Sequence, residues 1–207
     1  MPRLSLRNFR SPAAISFFLL TAVLGLTLDL WTKKVAFEQL APWGVEHRPS
    51  GAVVVRIPEN ESPPIRRFLP GWVNFQAMVN QGAVFGIGQG KRALFLTVSV
   101  AAILFIFYLF LTSDRQPFYQ LVLGLLLAGV LGNLYDRLVL GYVRDMIYIF
   151  PGRIVMGREV FPWIFNVADS LLCVGVAMIF LYSLRGQPKK ATEPAKEPGA
   201  EGAAPAH

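Results

Sequence analysis

An acidic residue, Asp169, lies near the start of an apolar run that continues to Leu184 and is long enough to cross a membrane. An ionisable side chain at membrane depth carries a free-energy penalty, which makes it a candidate functional residue by default. Asn166 lies three residues earlier, on the same face of the predicted helix. The alternative is a structural aspartate that faces a pore or caps the helix near the lipid headgroups. We favour a chemical role for Asp169.

A second acidic residue, Asp145, lies among Val143, Met146 and Ile147, and these neighbours predict partial desolvation of its carboxyl group. Because the third predicted span ends and the fourth begins on the same side of the membrane, Asp145 and Asp169 belong to that side. Two carboxyl groups near one interface can share a proton, with one pKa raised and the other kept low. An aspartic protease uses such a pair to activate water and polarise the scissile carbonyl. Spacing alone leaves this pairing a hypothesis, and it does not say which acid holds the proton.

Three further polar clusters accompany the predicted spans. They are Asp29 and Lys33 after the first span, Asn80 and Gly82 before the second, and Asn133, Asp136 and Arg137 at the end of the third. The structural alternatives are, in the same order, a salt bridge, a turn and an interfacial Asp–Arg pair. A functional interpretation makes the second cluster a contact for a peptide backbone and the others supports for a site.

The composition is that of a multi-span membrane protein: 54% of the residues are hydrophobic, and the mean hydropathy is +0.46. Four segments approach the ~20 apolar residues that a membrane helix needs. The predicted spans cover about residues 13–31, 93–112, 118–137 and 163–184. Four spans place both termini on one side, and Arg3, Arg7 and Arg10 favour the inside for the N-terminus.

The remaining segments complete the predicted fold, an all-α membrane protein with four transmembrane helices and a small β-rich cradle. Residues 34–92 contain two strand patterns with prolines between them, and residues 187–207 are typical of a disordered tail. The net charge of +7 favours anionic headgroups over nucleic acid as the partner. A single cysteine, Cys173, and two histidines predict neither a disulfide framework nor a metal cluster.

The four polar clusters, in this order and each beside a predicted span, resemble lipoprotein signal peptidase, also called signal peptidase II. The matching motifs are Asp-x-x-Thr-Lys at residues 29–33, Asn-x-Gly-Ala-x-Phe at 80–85, Gly-Asn-x-x-Asp-Arg with Gly-x-Val-x-Asp at 132–145, and Phe-Asn-x-Ala-Asp-Ser at 165–170. The resemblance extends over about residues 13–184. Two segments depart from the family pattern: residues 42–70 are longer than is typical, and the C-terminal tail is an addition.

The resemblance implies a bacterial aspartic endopeptidase of the inner (cytoplasmic) membrane, acting as a monomer without a cofactor or metal. Such enzymes remove the signal peptide from a prolipoprotein by cutting before a cysteine that carries diacylglyceryl, and globomycin inhibits them. The active site and residues 34–92 would be periplasmic, and both termini would be cytoplasmic. The implied catalytic pair is Asp145 and Asp169. The implied supporting or substrate-binding residues are Asn80, Gly82, Asn133, Asp136, Arg137, Asn166, Asp29 and Lys33.

The main alternative function is a small proton-coupled transporter, in which acids inside the membrane relay charge. A transporter favours acids or broken helices near mid-membrane, whereas the acids here cluster at one interface. A membrane scaffold explains the spans but not four polar clusters on one side. Zinc and Ser–His intramembrane proteases fit poorly, because the sequence has no His-Glu-x-x-His motif and no histidine in a predicted span.

Overall fold

A computed structural model describes residues 11–82, 91–112 and 117–184. The helices are α1 (Pro12–Leu40), α2 (Arg92–Thr112), α3 (Pro117–Val139) and α4 (Val167–Leu184). All four are long and apolar enough to cross a membrane. The strands are β1 (Val45–His47), β2 (Val53–Val55), β3 (Ile65–Leu69), β4 (Val73–Asn80), β5 (Val143–Ile149), β6 (Ile154–Val155), β7 (Arg158–Glu159) and β8 (Ile164–Phe165).

The strands form three antiparallel sheets. Two of them are hairpins, β1–β2 and β6–β7, and the third has the order β3-β4-β5-β8. In the four-stranded sheet, β3 and β4 come from the segment between α1 and α2, and β5 and β8 come from the segment between α3 and α4. The pairing of β4 with β5 joins these two segments. Gly141, with a φ of +86°, turns the chain from α3 towards β5 at an angle that L side chains rarely adopt.

The four predicted membrane-length helices are confirmed, while the all-α description is not, because the described residues also form these sheets. The predicted strand patterns at residues 51–58 and 72–79 contain β2 and most of β4. Two boundaries differ from the predicted spans. The first helix continues to Leu40, and residues 164–165 of the fourth predicted span pair with β5 before α4 begins. The predicted tail at residues 187–207 lies outside the described residues.

α3 packs closely against its neighbours because small residues recur at every fourth position, as Gly124, Ala128 and Gly132. A Cβ atom added to Gly124 would lie 2.7 Å from Thr21 of α1, and one added to Gly132 would collide with the carboxylate of Asp29. Larger apolar side chains fill the space between α1, α2 and α3. The buried members of this cluster are Phe18, Ala22, Ile106, Phe110, Leu123, Leu127 and Val130.

Gly129→Ala is expected to destabilise the contact between α3 and α4. A Cβ atom at this position would lie 2.6 Å from the carbonyl oxygen of Ala168, which is backbone and cannot rotate away. Overpacking of this kind costs about 1–3 kcal/mol. Thermal melts in detergent should show a lower melting temperature, whereas Val100→Ala on the exposed face of α2 should leave it almost unchanged. Equal melting temperatures for both variants would contradict this close packing of α3 on α4.

Candidate active site

Asp145 lies on β5 with 1% of its surface exposed. Its two carboxyl oxygens accept hydrogen bonds from two asparagine amides. The Nδ2 of Asn80 donates to Oδ2 at 3.0 Å, and the Nδ2 of Asn166 donates to Oδ1 at 2.6 Å. β4 and β5 are antiparallel neighbours, and Asn80 on β4 lies opposite Val143 on β5. Asn80 is therefore diagonal to Asp145, close enough for its amide to reach the carboxyl group.

Asp169 lies in the first turn of α4 and is 7% exposed. Its Oδ1 accepts a hydrogen bond from the Nδ2 of Asn133 at 2.8 Å. Its Oδ2 accepts from the backbone N–H of Asn166 at 3.3 Å, while its own N–H donates to Oδ1 of Asn166 at 3.0 Å. These reciprocal bonds form a capping box, in which Asn166 is the N-cap residue of α4 and Asp169, three residues later, accepts from its backbone N–H. Capping and a chemical role are thus compatible in this residue.

Asn166 joins the two acids, because its side chain binds Asp145 and its backbone binds Asp169. Both acids line one cavity of about 280 Å³. Apolar and aromatic side chains, among them Phe161 and Trp163, form much of the rest of the wall. The predicted pair is therefore brought together at the end of α4, in a cavity large enough for water and part of a peptide chain.

Lys33 lies behind the acids, fully buried, and connects α1 to α3. Its Nζ lies 2.8 Å from Oδ2 of Asp29 and 3.5 Å from Oδ2 of Asp136, and it donates to Oδ1 of Asn133 at 3.0 Å. Oδ1 of Asp29 accepts a hydrogen bond from the backbone N–H of Ala168, next to Asp169. The buried charges thus hold Asn133 and the start of α4, which in turn fix Asp169.

Asp136 pairs with Arg144 rather than with the adjacent Arg137. The Nη2 of Arg144 lies 2.7 Å from Oδ1 of Asp136, and the Arg144 backbone N–H donates to Oδ2 at 3.0 Å. Arg137 instead donates through Nη2 to the carbonyl oxygen of Gly82 at 2.8 Å. Sequence reasoning missed Arg144, although its position directly before Asp145 was the available signal. Asp136 therefore anchors the strand that carries Asp145.

Asp136→Asn is expected to act through stability and positioning. The change leaves Arg144 without its carboxylate and shifts the strand that holds Asp145, so we expect a lower melting temperature and partial loss of catalytic activity. Melting curves and turnover should be measured on the same preparation. Complete loss of turnover with unchanged melting would show instead that Asp136 takes a direct part in the reaction.

Asn80 and Gly82 form a local turn, because the Gly82 N–H donates to Oδ1 of Asn80 at 2.8 Å. The turn directs the other end of the Asn80 amide to Asp145 and presents the Gly82 carbonyl to Arg137. The rest of this motif, including Phe85, lies outside the described residues. The substrate-backbone contact predicted for Asn80 remains a prediction.

The two acids influence each other electrostatically. Burial and the nearby carboxyl group of Asp169 raise the pKa of Asp145 from its usual 3.8 to about 7, against the hydrogen bonds from Asn80 and Asn166, which lower it. At neutral pH a much larger fraction of Asp145 is therefore protonated than of a free aspartate. A carboxyl group that titrates near neutral pH can donate and recover a proton during a reaction.

The stability of the protein should consequently depend on pH through Asp145. Because its folded-state pKa is raised, its stabilising contribution is fully present below the unfolded pKa and is lost as the pH rises through about 7. Between about pH 4 and 7, the melting temperature of the wild type should fall more than that of Asp145→Asn, and above pH 7 the two should have the same pH dependence. Parallel melting curves with the same pH dependence would show that Asp145 does not titrate in this range.

Four membrane-length helices and a buried pair of carboxyl groups are features of a membrane-embedded enzyme of the aspartic type. A family model described as Signal peptidase (SPase) II matches residues 21–185. The lipoprotein signal peptidase of Enterococcus faecalis is 31% identical over 173 residues, which are 81% of this chain and 87% of that protein. The lipoprotein signal peptidase of Chlorobaculum parvum is also 31% identical over 173 residues, with 81% and 94% covered.

Solved structures agree with these sequence relatives. A bacterial membrane enzyme determined by the in meso method at 2.3 Å has a TM-score of 0.66 and 27% identity, with 88% of this chain and 96% of that chain covered. A second such structure, at 1.9 Å, has a TM-score of 0.61 and 27% identity, with 84% and 96% covered. The chain belongs to the signal peptidase II family, and the resemblance predicted from its motifs is confirmed.

Proposed function

We propose that this protein is an aspartic endopeptidase that removes the signal peptide from diacylglyceryl-modified prolipoproteins by cutting before the lipidated cysteine. The family membership supports the substrate class. The observation that supports the chemistry is the double contact of Asn166, which holds Asp145 and Asp169 together in one cavity. No second function is favoured by a specific contact among the described residues.

In the proposed mechanism the two acids share one proton. We place this proton on Asp145 at rest, which its raised pKa supports, and from there it is donated to the oxygen of the scissile carbonyl. Asp169 acts as the base that takes a proton from the attacking water. The C–N bond of the tetrahedral intermediate then breaks as Asp169 gives its proton to the leaving nitrogen. Asp145 recovers a proton from a hydroxyl group of the intermediate, which becomes the new carboxyl group, and the pair returns to its starting state.

The surrounding residues keep this geometry. Asn133 and Asn166 orient Asp169, while Asn80 orients Asp145. The residues that support them from behind, through buried charge pairs and backbone contacts, are Lys33, Asp29, Asp136 and Arg137. We assign the substrate to the cavity side of the pair, where Phe161 and Trp163 provide an apolar wall for the precursor chain.

We place the enzyme in the inner membrane, with the active site and residues 34–92 on the periplasmic side and both termini in the cytoplasm. An even number of membrane-length helices supports the shared side of the termini. The position of Asp169 in the first turn of α4 supports a site near one interface, where the lipid-anchored precursor presents its scissile bond. Residues 1–186 form the peptidase domain in this proposal, and residues 187–207 form a cytoplasmic tail. The enzyme acts as a monomer among membrane lipids.

The proposed substrate class is tested by comparing two precursors with the purified wild-type protein in detergent. One precursor carries diacylglyceryl on its cysteine, and the other is the same chain without the lipid. We expect cleavage of the first only, with a product that mass spectrometry shows to begin with the lipidated cysteine. An intact lipidated precursor, or a cut elsewhere in the chain, would refute the proposal and favour a test of proton flux in liposomes.

A further inference from the structure

A second cavity, which we call the α1 groove, lies between the last turns of α1 and the four-stranded sheet. Its volume is about 460 Å³, larger than that of the cavity at the acids, and the two share no lining residue. Trp31, Val35 and Gln39 form its α1 wall, and Arg66, Phe68 and Phe75 belong to its sheet wall. The groove is therefore a separate feature with its own chemistry.

The groove changes from apolar to polar along α1. The 29 residues of α1 extend about 43 Å at 1.5 Å per residue, which exceeds the ~30 Å hydrocarbon core of a bilayer. A bilayer with its headgroup regions is about 40–45 Å thick, so the last turn of α1 lies at the level of the headgroups. Trp31, at the start of the groove, is 60% exposed, as expected of an aromatic residue at the membrane interface. Gln39 lies eight residues further on, about 12 Å away along the helix.

The polar end of the groove carries a guanidinium group that has no carboxylate partner among the described residues. The Nη1 of Arg66 donates to Oε1 of Gln39 at 2.7 Å. Within residues 11–82, 91–112 and 117–184, Arg66 has no salt bridge. A guanidinium group has five N–H donors and binds phosphate well, so the remaining donors suit an anionic headgroup.

We propose that the α1 groove binds a bilayer phospholipid with an anionic headgroup. One acyl chain lies along the apolar wall near Trp31 and Val35, and the phosphate accepts hydrogen bonds from Arg66. The groove is apolar near Trp31 and polar near Arg66, and a phospholipid has its acyl chain and its headgroup in the same order. The diacylglyceryl group of the precursor is a poorer match, because it has no charge to pair with the guanidinium group.

Native mass spectrometry of the purified full-length protein, titrated with phosphatidylglycerol or phosphatidylcholine, tests this site. We expect the wild type to retain one phosphatidylglycerol and to bind phosphatidylcholine about tenfold more weakly, because the choline cation offsets the charge of the phosphate that Arg66 contacts. Arg66→Gln should remove the preference between the lipids, and Val35→Trp should prevent binding of both by filling the groove. The matched controls are Arg67→Gln, the neighbouring exposed arginine, and Val100→Trp on the exposed face of α2. Both controls should bind as the wild type does.

Three results would overturn the proposal. The first is an unchanged lipid preference in Arg66→Gln, and the second is a graded series of adducts on the wild type without a single saturating lipid. The third is a Val35→Trp variant that still binds phospholipid but has a raised KM for the lipidated precursor, which would assign the groove to the substrate. Lipid binding is measured without precursor, so failure of the lipid site is distinguishable from failure of the proposed peptidase activity.

Discussion

Replacement of Lys33 by methionine is expected to destabilise the fold more than any other single substitution in the buried polar network. The ammonium group of Lys33 is fully buried between the carboxylates of Asp29 and Asp136. Methionine keeps much of the side-chain volume but leaves both carboxylates without their shared cation. Removing one partner of a buried ion pair costs about 3–5 kcal/mol. For a chain of this size we expect a fall in melting temperature on the order of 10 °C.

Lys34→Met provides the matched control for this prediction. Lys34 is the next residue on α1, its side chain is 71% exposed, and its carboxylate partner Glu38 lies 3.9 Å away. Exposed pairs of this kind contribute little, so the melting temperature should change by no more than about 2 °C. Similar melting temperatures for the Lys33 and Lys34 variants would contradict the buried network as the support of the site.

Asp145→Asn and Asp169→Asn are each expected to lower kcat/KM for the lipidated precursor by a factor of at least about 10² and up to about 10⁴, the range of general acid–base catalysis. Asparagine has almost the same shape as aspartate, but its amide cannot accept the proton of water or donate a carboxylic proton. Steady-state cleavage over a range of precursor concentrations measures this effect.

Folding must be measured on the same variants. Asparagine keeps the shape of aspartate and removes the electrostatic conflict between the two carboxyl groups, so we expect melting temperatures close to that of the wild type at neutral pH. Glu46→Gln, an exposed acid on β1, is the control for loss of a carboxylate outside the site. A variant that loses activity only in proportion to its folded fraction would remove that acid from the mechanism.

The polar groups of the site could be located from the sequence, because each of them interrupts or ends an apolar run. Asp145, Asp169 and the residues around them come together in the structure although they are distant in the chain. The apolar pattern also predicted the four helices, since membrane spans depend on length and apolarity more than on tertiary contacts.

The features that the sequence did not predict depend on contacts between distant segments. The pairing of β5 with β4 brings Asn80 to Asp145 across 65 residues, and no local periodicity encodes that register. The Asp136–Arg144 pair requires the turn at Gly141, which places the two side chains together. The extension of α1 to Leu40 was not predicted because its last turns are less apolar than the span. Packing of Leu40 and Ala41 against Ala77 of the sheet supports their position.

The central claim is that Asp145 and Asp169 act as one catalytic pair, and single-turnover cleavage tests it most directly. Enzyme in excess is mixed with a labelled diacylglyceryl precursor, product is followed by gel shift, and bound precursor is measured separately by pull-down. We predict that, at the time when the wild type has converted all of the precursor, each Asn variant still binds precursor that is almost entirely intact. Conversion by either variant at the wild-type rate would contradict the paired-acid mechanism.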